Sequence, residues 1–148
     1  MAKFIQLDEQ TAISGQLRPS DIAEAAAAGF KLIVNNRPDG ESWGQPKAKD
    51  LAAAAAKAGI AYADLPFSAP PSIQPVQVAE LARLLGETDG GVLAFCRSGM
   101  RSTVIWAAAK VAQGASVTDA LAKTAKAGYD LRQGAQFIEM LGGAARQQ

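Results

Sequence analysis

Cys96 is followed by Arg97, Ser98, Gly99, Met100, Arg101 and Ser102, a short basic loop that holds the chain's one cysteine. Val92 to Phe95, entered from Asp89-Gly90-Gly91, is a brief apolar run that reads as a buried parallel strand. Beyond the loop, Val104, Ile105, Ala108 and Val111 recur at helical spacing among alanines, so a helix begins at or near Arg101. Cys96 therefore stands at a helix mouth. There the free backbone N–H groups and the positive end of the helix dipole favour an anion, and Gly99 supplies the positive φ that such a nest often needs. With two arginines adding full charges, the setting favours the thiolate, a nucleophile whose anionic substrate the same loop can hold. A lone cysteine is more often a small core residue; the Arg-Ser-Gly-x-Arg-Ser that follows moves the reading to a functional one. Cys96 and Arg101 are the expected catalytic pair, with Arg97, Ser98, Gly99, Met100 and Ser102 around the substrate. The hydroxyls of Ser98 and Ser102 are candidate donors to sulfur, although helix capping accounts equally well for Ser102.

A second cluster, Val34 to Pro46, begins at the carboxyl end of another expected strand and so at the same sheet edge as Cys96. Arg37 offers a further cation for an anionic substrate, and Asp39 or Glu41 offers a carboxylate to orient it or a loop arginine. A polar turn with a solvated charge cluster is the plainer account.

The elements that must position these residues alternate. Short strands are expected at Phe4 to Leu7 and Thr11 to Ser14. Pro19-Ser20-Asp21 opens a helix over Ile22 to Ala28 that ends at Gly29. Lys31 to Asn35 reads as a strand, Pro46 to about Ala58 as an alanine-rich helix capped by Gly59, and Ile60 to Leu65 as a strand. A helix starting near Pro75 and the strand Val92 to Phe95 follow. Three helical stretches come after the loop: Arg101 to Gln113, Val117 to Ala127 and Leu131 to Leu141. The order β-β-α-β-α-β-α-β-α-α-α implies an α/β fold, a single three-layer α/β/α domain over residues 1–148 with a mainly parallel sheet. The tail 142–148 is expected to fray.

Composition bounds the function. The chain has 148 residues, 49% hydrophobic and 20% charged, with a formal net charge of +1, which suits one globular domain and gives no reason to expect nucleic acid or a membrane surface as partner. One cysteine excludes an internal disulfide, and with no histidine a structural zinc or haem site is not expected; no cofactor is called for. The start, Met1 to Ile5, lacks the apolar stretch of a signal peptide, and no run approaches the roughly 18 residues of a membrane span, so a cytoplasmic location is the default.

The loop resembles two families that share a reactive cysteine. In tyrosine and dual-specificity phosphatases an arginine follows the cysteine after five residues; here Arg101 follows after four, and Ser102 stands at the phosphatase position. Cys-Arg-Ser-Gly-Met-Arg-Ser resembles the active-site loop of rhodanese-type sulfurtransferases, in which a shorter amide ring suits a persulfide. Phe95 occupies the place of the histidine that often precedes a phosphatase cysteine. Pro66 to Pro71, where such a phosphatase presents a mobile acid, holds no carboxylate; Asp64 is the nearest. Sulfur transfer between thiolates needs little proton transfer, whereas phosphomonoester hydrolysis gains much from an acid.

Across residues 3 to 135, Ser14-Gly15-Gln16-Leu17, Gly29 to Glu41, Gly44-Gln45-Pro46, Leu65-Pro66 and the cysteine loop are together similar to a bacterial phosphatase-like domain found alone or fused to beta-lactamase-like persulfide dioxygenases. The resemblance implies a dual-specificity-phosphatase-like fold carrying sulfurtransferase chemistry, with Arg37, Asp39 and Glu41 in the pocket. The expectation is that Cys96 takes the outer sulfur of thiosulfate or a persulfide and passes it to an external thiol or cyanide, with a persulfide dioxygenase as a possible partner. A cysteine-dependent phosphatase is the alternative, and a non-catalytic anion-binding or redox-sensing module a further one.

Overall fold

A computed structural model describes residues 3–148; Met1 and Ala2, at the start read for a signal peptide, lie outside the described residues. Five strands form one sheet: β1 (Ile5–Gln6), β2 (Thr11–Ser14), β3 (Phe30–Asn35), β4 (Ala61–Asp64) and β5 (Gly91–Phe95). Their spatial order is β1-β2-β5-β3-β4, with β1 antiparallel to β2 and the other pairings parallel. The helices are α1 (Pro19–Ala27), α2 (Ala48–Ala58), α3 (Pro75–Glu87), α4 (Met100–Ala112), α5 (Val117–Lys126) and α6 (Ala135–Ala145), with short 3-10 turns at Pro70–Ser72 and Arg132–Gly134.

The period of two along each strand divides the core between the two sheet faces. Leu32, Val34, Val92 and Ala94 share a cluster with residues of α3, α4, α5 and α6, whereas Ile33, Leu93 and Phe95 pack with Ile22 and Ala25 of α1 and Leu51 and Ala55 of α2. The α/β/α layering expected from the element order is therefore present. Helix α4 is buried nearly all round, from Ser102 to Ala109 and again at Val111. A helix without a polar face belongs inside the fold; α4 lies in contact with α3, α5 and α6. Its wholly buried Trp106 contrasts with Trp43, fully exposed on a surface turn.

Three helix boundaries differ from expectation. Helix α2 begins at Ala48 rather than Pro46, because the carboxylate of Asp39, nine residues upstream, accepts the Ala48 N–H at 2.8 Å. The tail is folded, not frayed. Helix α6 continues through Gly142 and Gly143 to Ala145, and Gly142 lies so close to α4 that a Cβ there would stand 2.5 Å from Val111 Cγ1. Arg146 then donates to the Val111 carbonyl from Nη2 at 2.6 Å, so the segment after Leu141 closes onto α4. At its other end α6 starts at Ala135, after the 3-10 turn that occupies Arg132–Gly134. Among the described residues no helix is long and apolar enough to cross a membrane, and no group of three or more His, Cys, Asp or Glu could hold a metal ion.

Candidate active site

Central strand β5 delivers Cys96 to the carboxyl edge of the sheet, where the thiol is buried. Its Sγ accepts the Gly99 N–H at 3.1 Å. Gly99 is the residue before α4 and has φ +93°; a Cβ there would lie 2.6 Å from the Tyr129 hydroxyl. This position therefore requires glycine both for its backbone conformation and for space. Three further contacts fix the loop. The Cys96 N–H donates to Ser14 O at 3.4 Å, the Gln16 N–H to Arg97 O at 3.2 Å, and the Tyr129 hydroxyl to Ser98 O at 3.0 Å. Gly15 makes the second contact possible: a Cβ on it would sit 3.0 Å from Arg97 O.

Arg101, on the first turn of α4, forms a two-pronged pair with Glu41, Nη2 to Oε1 at 2.7 Å and Nη1 to Oε2 at 2.9 Å, and Nη1 also donates to Phe67 O at 3.0 Å. Glu41 is shared with Arg37, whose Nε reaches Oε1 at 2.8 Å. The Arg101 hydrogen bonds, reinforced by Arg37 and opposed by burial, hold the Glu41 carboxyl down at about 2. In return Glu41, with a smaller contribution from Cys96, raises the affinity of Arg101 for its proton. The pair thus stays charged, and the guanidinium keeps a fixed plane beside the thiol.

The expected site residues fall into distinct groups. Two bonded pairs meet at the start of α4, Cys96 with Gly99 and Arg101 with Glu41, while the exposed Arg97 lines, with Arg101, Glu41, Ser68, Ala69 and Pro70, an open cavity of about 430 Å³. Ser98 and Met100 are exposed on the loop's rim. Ser102 is not aimed at sulfur: buried, it donates to Asn36 Oδ1 at 2.8 Å. Arg37 commits its remaining nitrogens to Gln16 Oε1 and Ser42 Oγ, each at 2.9 Å, and so orients Glu41 and not a substrate. Asp39 is occupied with α2. Asp64 ends edge strand β4, separated from β5 by β3, and accepts the Tyr62 hydroxyl at 2.7 Å.

Three participants escaped sequence reasoning. Asn36 links Ser102 to the Leu65 carbonyl, Gln16 holds Arg37, and Tyr129 pins Ser98. Asn36 and Gln16 stood inside stretches already singled out, but only the register of neighbouring strands reveals their partners. Tyr129, 31 residues beyond Ser98, carries no local signal.

A mainly parallel sheet with helices on both faces, the cysteine following its central strand, is the fold that the chain shares with solved phosphatase structures. The chain superposes on a kinase-associated phosphatase at TM-score 0.77 and 12% identity, covering all of this chain and 97% of that one, a likeness of fold. A crystal structure of a candidate phosphatase from Neisseria meningitidis is more similar, at TM-score 0.79 and 30% identity over 93% of this chain and 96% of that one. Residues 3–115 match the model of the phosphatase-like domain of beta-lactamase hydrolase-like protein, and the chain belongs to that family. Beta-lactamase hydrolase-like proteins of Xylella fastidiosa strain 9a5c and Agrobacterium fabrum are 33% and 30% identical over 138 residues, 93% of this chain. The chain spans 32% of the length of each of these relatives.

These matches correct the expected activity. The family and its structural neighbours are phosphatase-like, so the alternative, a cysteine-dependent phosphatase, is better supported than the sulfurtransferase. The four-residue spacing misled because it took loop length as a measure of the space enclosed. The open cavity beside the loop faces outward, between Arg97, Arg101 and the Ser68–Pro70 wall. The thiosulfate or persulfide donor, the thiol acceptor and the dioxygenase partner were expected for sulfur transfer and go with it.

Proposed function

We propose that this domain hydrolyses phosphate monoesters through a phosphocysteine on Cys96. The carrying observation is that Cys96 Sγ, on the Gly99 N–H, and the Arg101 guanidinium, held by Glu41, both stand at the start of α4. The thiolate attacks phosphorus and the bond from phosphorus to the ester oxygen breaks, releasing the alcohol as its anion. Arg101, Arg97 and the loop amides hold the charge that spreads over the phosphoryl oxygens. Water then attacks phosphorus, the P–S bond breaks, inorganic phosphate leaves and the thiolate is restored.

The leaving group receives little help. Among the described residues lining the open cavity of Arg97 and Arg101, where the anion binds, and the adjoining cleft of Met100 and Phe137, the carboxylates are Glu41 and Asp130, and their arginine partners hold both near 2, hence ionised at neutral pH. Esters of acidic alcohols, phenols above all, are therefore the favoured substrates. A cytoplasmic location belongs to the same proposal and is supported by the lone cysteine, which a reducing compartment keeps free.

Phosphate release from an aryl phosphate, measured beside its Cys96→Ser variant, tests the reaction. The variant is expected to lose at least about 10³-fold in kcat, and mass spectrometry of the rapidly quenched wild type is expected to show one phosphoryl group on Cys96. Equal turnover by the two proteins would end the proposal.

A further inference from the structure

Beside the anion cavity lies a larger cleft of about 760 Å³. Its walls are mainly apolar, formed by Met100, Val104, Leu131, Phe137, Ile138 and Pro70, with Gln133 and the Asp130–Arg132 pair, 2.8 Å apart, as its polar edge. Three features join it to the reaction centre. Pro70 lines both spaces, so they share a wall. Met100 directly follows Gly99, the donor to Cys96 Sγ, and the Tyr129 hydroxyl ties the segment leading into Leu131 to Ser98 of the loop. The volume is that of a small-molecule site, within the usual range of about 300–1,000 Å³. Apolar surface left open beside a charged centre gains from covering by an apolar group, and both the Met100 thioether and the Phe137 ring favour an aromatic neighbour.

We infer that the cleft between the start of α4, Pro70 and the Leu131–Ile138 segment seats the apolar body of a phenol-type phosphate monoester whose phosphoryl group lies on Cys96. The inference rests on the phosphatase reading and adds a binding site to it. The phosphoryl group occupies the space between Arg97 and Arg101, the ring passes over Met100, and an apolar extension of the ring runs toward Phe137. A departing phenolate depends less on a protein acid than an alkoxide does, consistent with the ionised state of Glu41 and Asp130.

A series of phenyl, 4-ethylphenyl, 4-butylphenyl and 4-hexylphenyl phosphates tests this, because chain length changes the apolar body while leaving-group acidity stays nearly constant. With the wild-type protein kcat/KM is expected to rise about twofold per methylene, the gain for partial burial of each group, and the rise is expected to lie in KM. Phe137→Ala removes one wall and Gln133→Trp, at an exposed lining position, fills the cleft without touching the core. Each is expected to flatten the series when normalised to phenyl phosphate turnover by the same variant, and the second keeps the test valid if the first folds poorly. A flat wild-type series with Cys96-dependent turnover overturns the cleft assignment alone, as does a slope unchanged in Gln133→Trp. Absence of Cys96-dependent phosphate release from every member overturns the phosphatase reading, and the cleft assignment falls with it.

Discussion

The two segments that build the site are held in opposite ways. The 96–99 loop is fixed mainly through backbone atoms: Sγ on the Gly99 amide, Arg97 O on the Gln16 amide, Ser98 O on a tyrosine hydroxyl. The 37–45 segment is fixed mainly through side chains: Arg37 to Gln16, Glu41 and Ser42, and Gln45 Nε2 to the Pro38 carbonyl at 2.9 Å. Backbone-held structure is sensitive to conformation and indifferent to much side-chain chemistry, and side-chain-held structure is the reverse. Arg101 is where the two meet, since it belongs to the helix that closes the first segment and grips the carboxylate of the second.

Breaking that junction is expected to have the largest effect. Arg101→Lys keeps the charge but loses the planar fork, so both the transition-state contacts and the Glu41 pair are degraded. Kinetics on an aryl phosphate should show a fall in kcat/KM of about 10²-fold; a loss below about threefold would mean that the fork is not engaged in the reaction.

The backbone-held side is probed next. Gly99→Ala places a Cβ at φ +93° and 2.6 Å from the Tyr129 hydroxyl. A loss of about 1–3 kcal/mol in urea unfolding is expected, accompanied by reduced activity because the donor to Sγ moves. Alanine at the exposed neighbour Ser98 is expected to change stability by less than about 0.5 kcal/mol, and equal costs at the two positions would contradict the division.

The smallest effect concerns the side-chain-held segment and depends on pH. The Glu41 carboxyl is lowered from its ordinary 4.5 to about 2 in the folded protein. Its contribution to stability is therefore fully present above about pH 4.5 and is lost as pH falls through 2, since the unfolded chain takes up the proton first. Glu41→Gln should cost about 1 kcal/mol at pH 7, discounted for partial exposure, and the gap to wild type should narrow as the solution is acidified from pH 5 to 3. A gap independent of pH would place the effect of Glu41 in packing and not in charge.

The same contrast explains what was legible in the sequence. The order of strands and helices, and the position of Cys96 between β5 and α4, follow from periodicity and from glycine and proline punctuation, which are local. The backbone-held loop was legible for that reason, down to Gly99. The side-chain-held segment was legible only as a charge cluster. Nothing in the spacing of Arg37, Asp39 and Glu41 tells that one orients the third while the middle one serves a helix start nine residues away. The misjudged tail has a similar origin. Gly142 and Gly143 lower helix propensity when taken alone, yet close packing against Val111 requires a residue with no side chain. The activity was misjudged because the count between Cys96 and Arg101 is a property of the chain, whereas the space available to an anion is a property of the fold.

The two tryptophans occupy the extremes of exposure, Trp106 sealed within α4 and Trp43 on the turn that follows Glu41. They form a built-in pair of optical reporters. A dissolved quencher such as iodide reaches the outer indole alone, so its emission registers what happens at the mouth of the site. The inner indole stays dark to the quencher until the helix core opens, which separates a local event at the rim from unfolding of the whole domain within one emission spectrum.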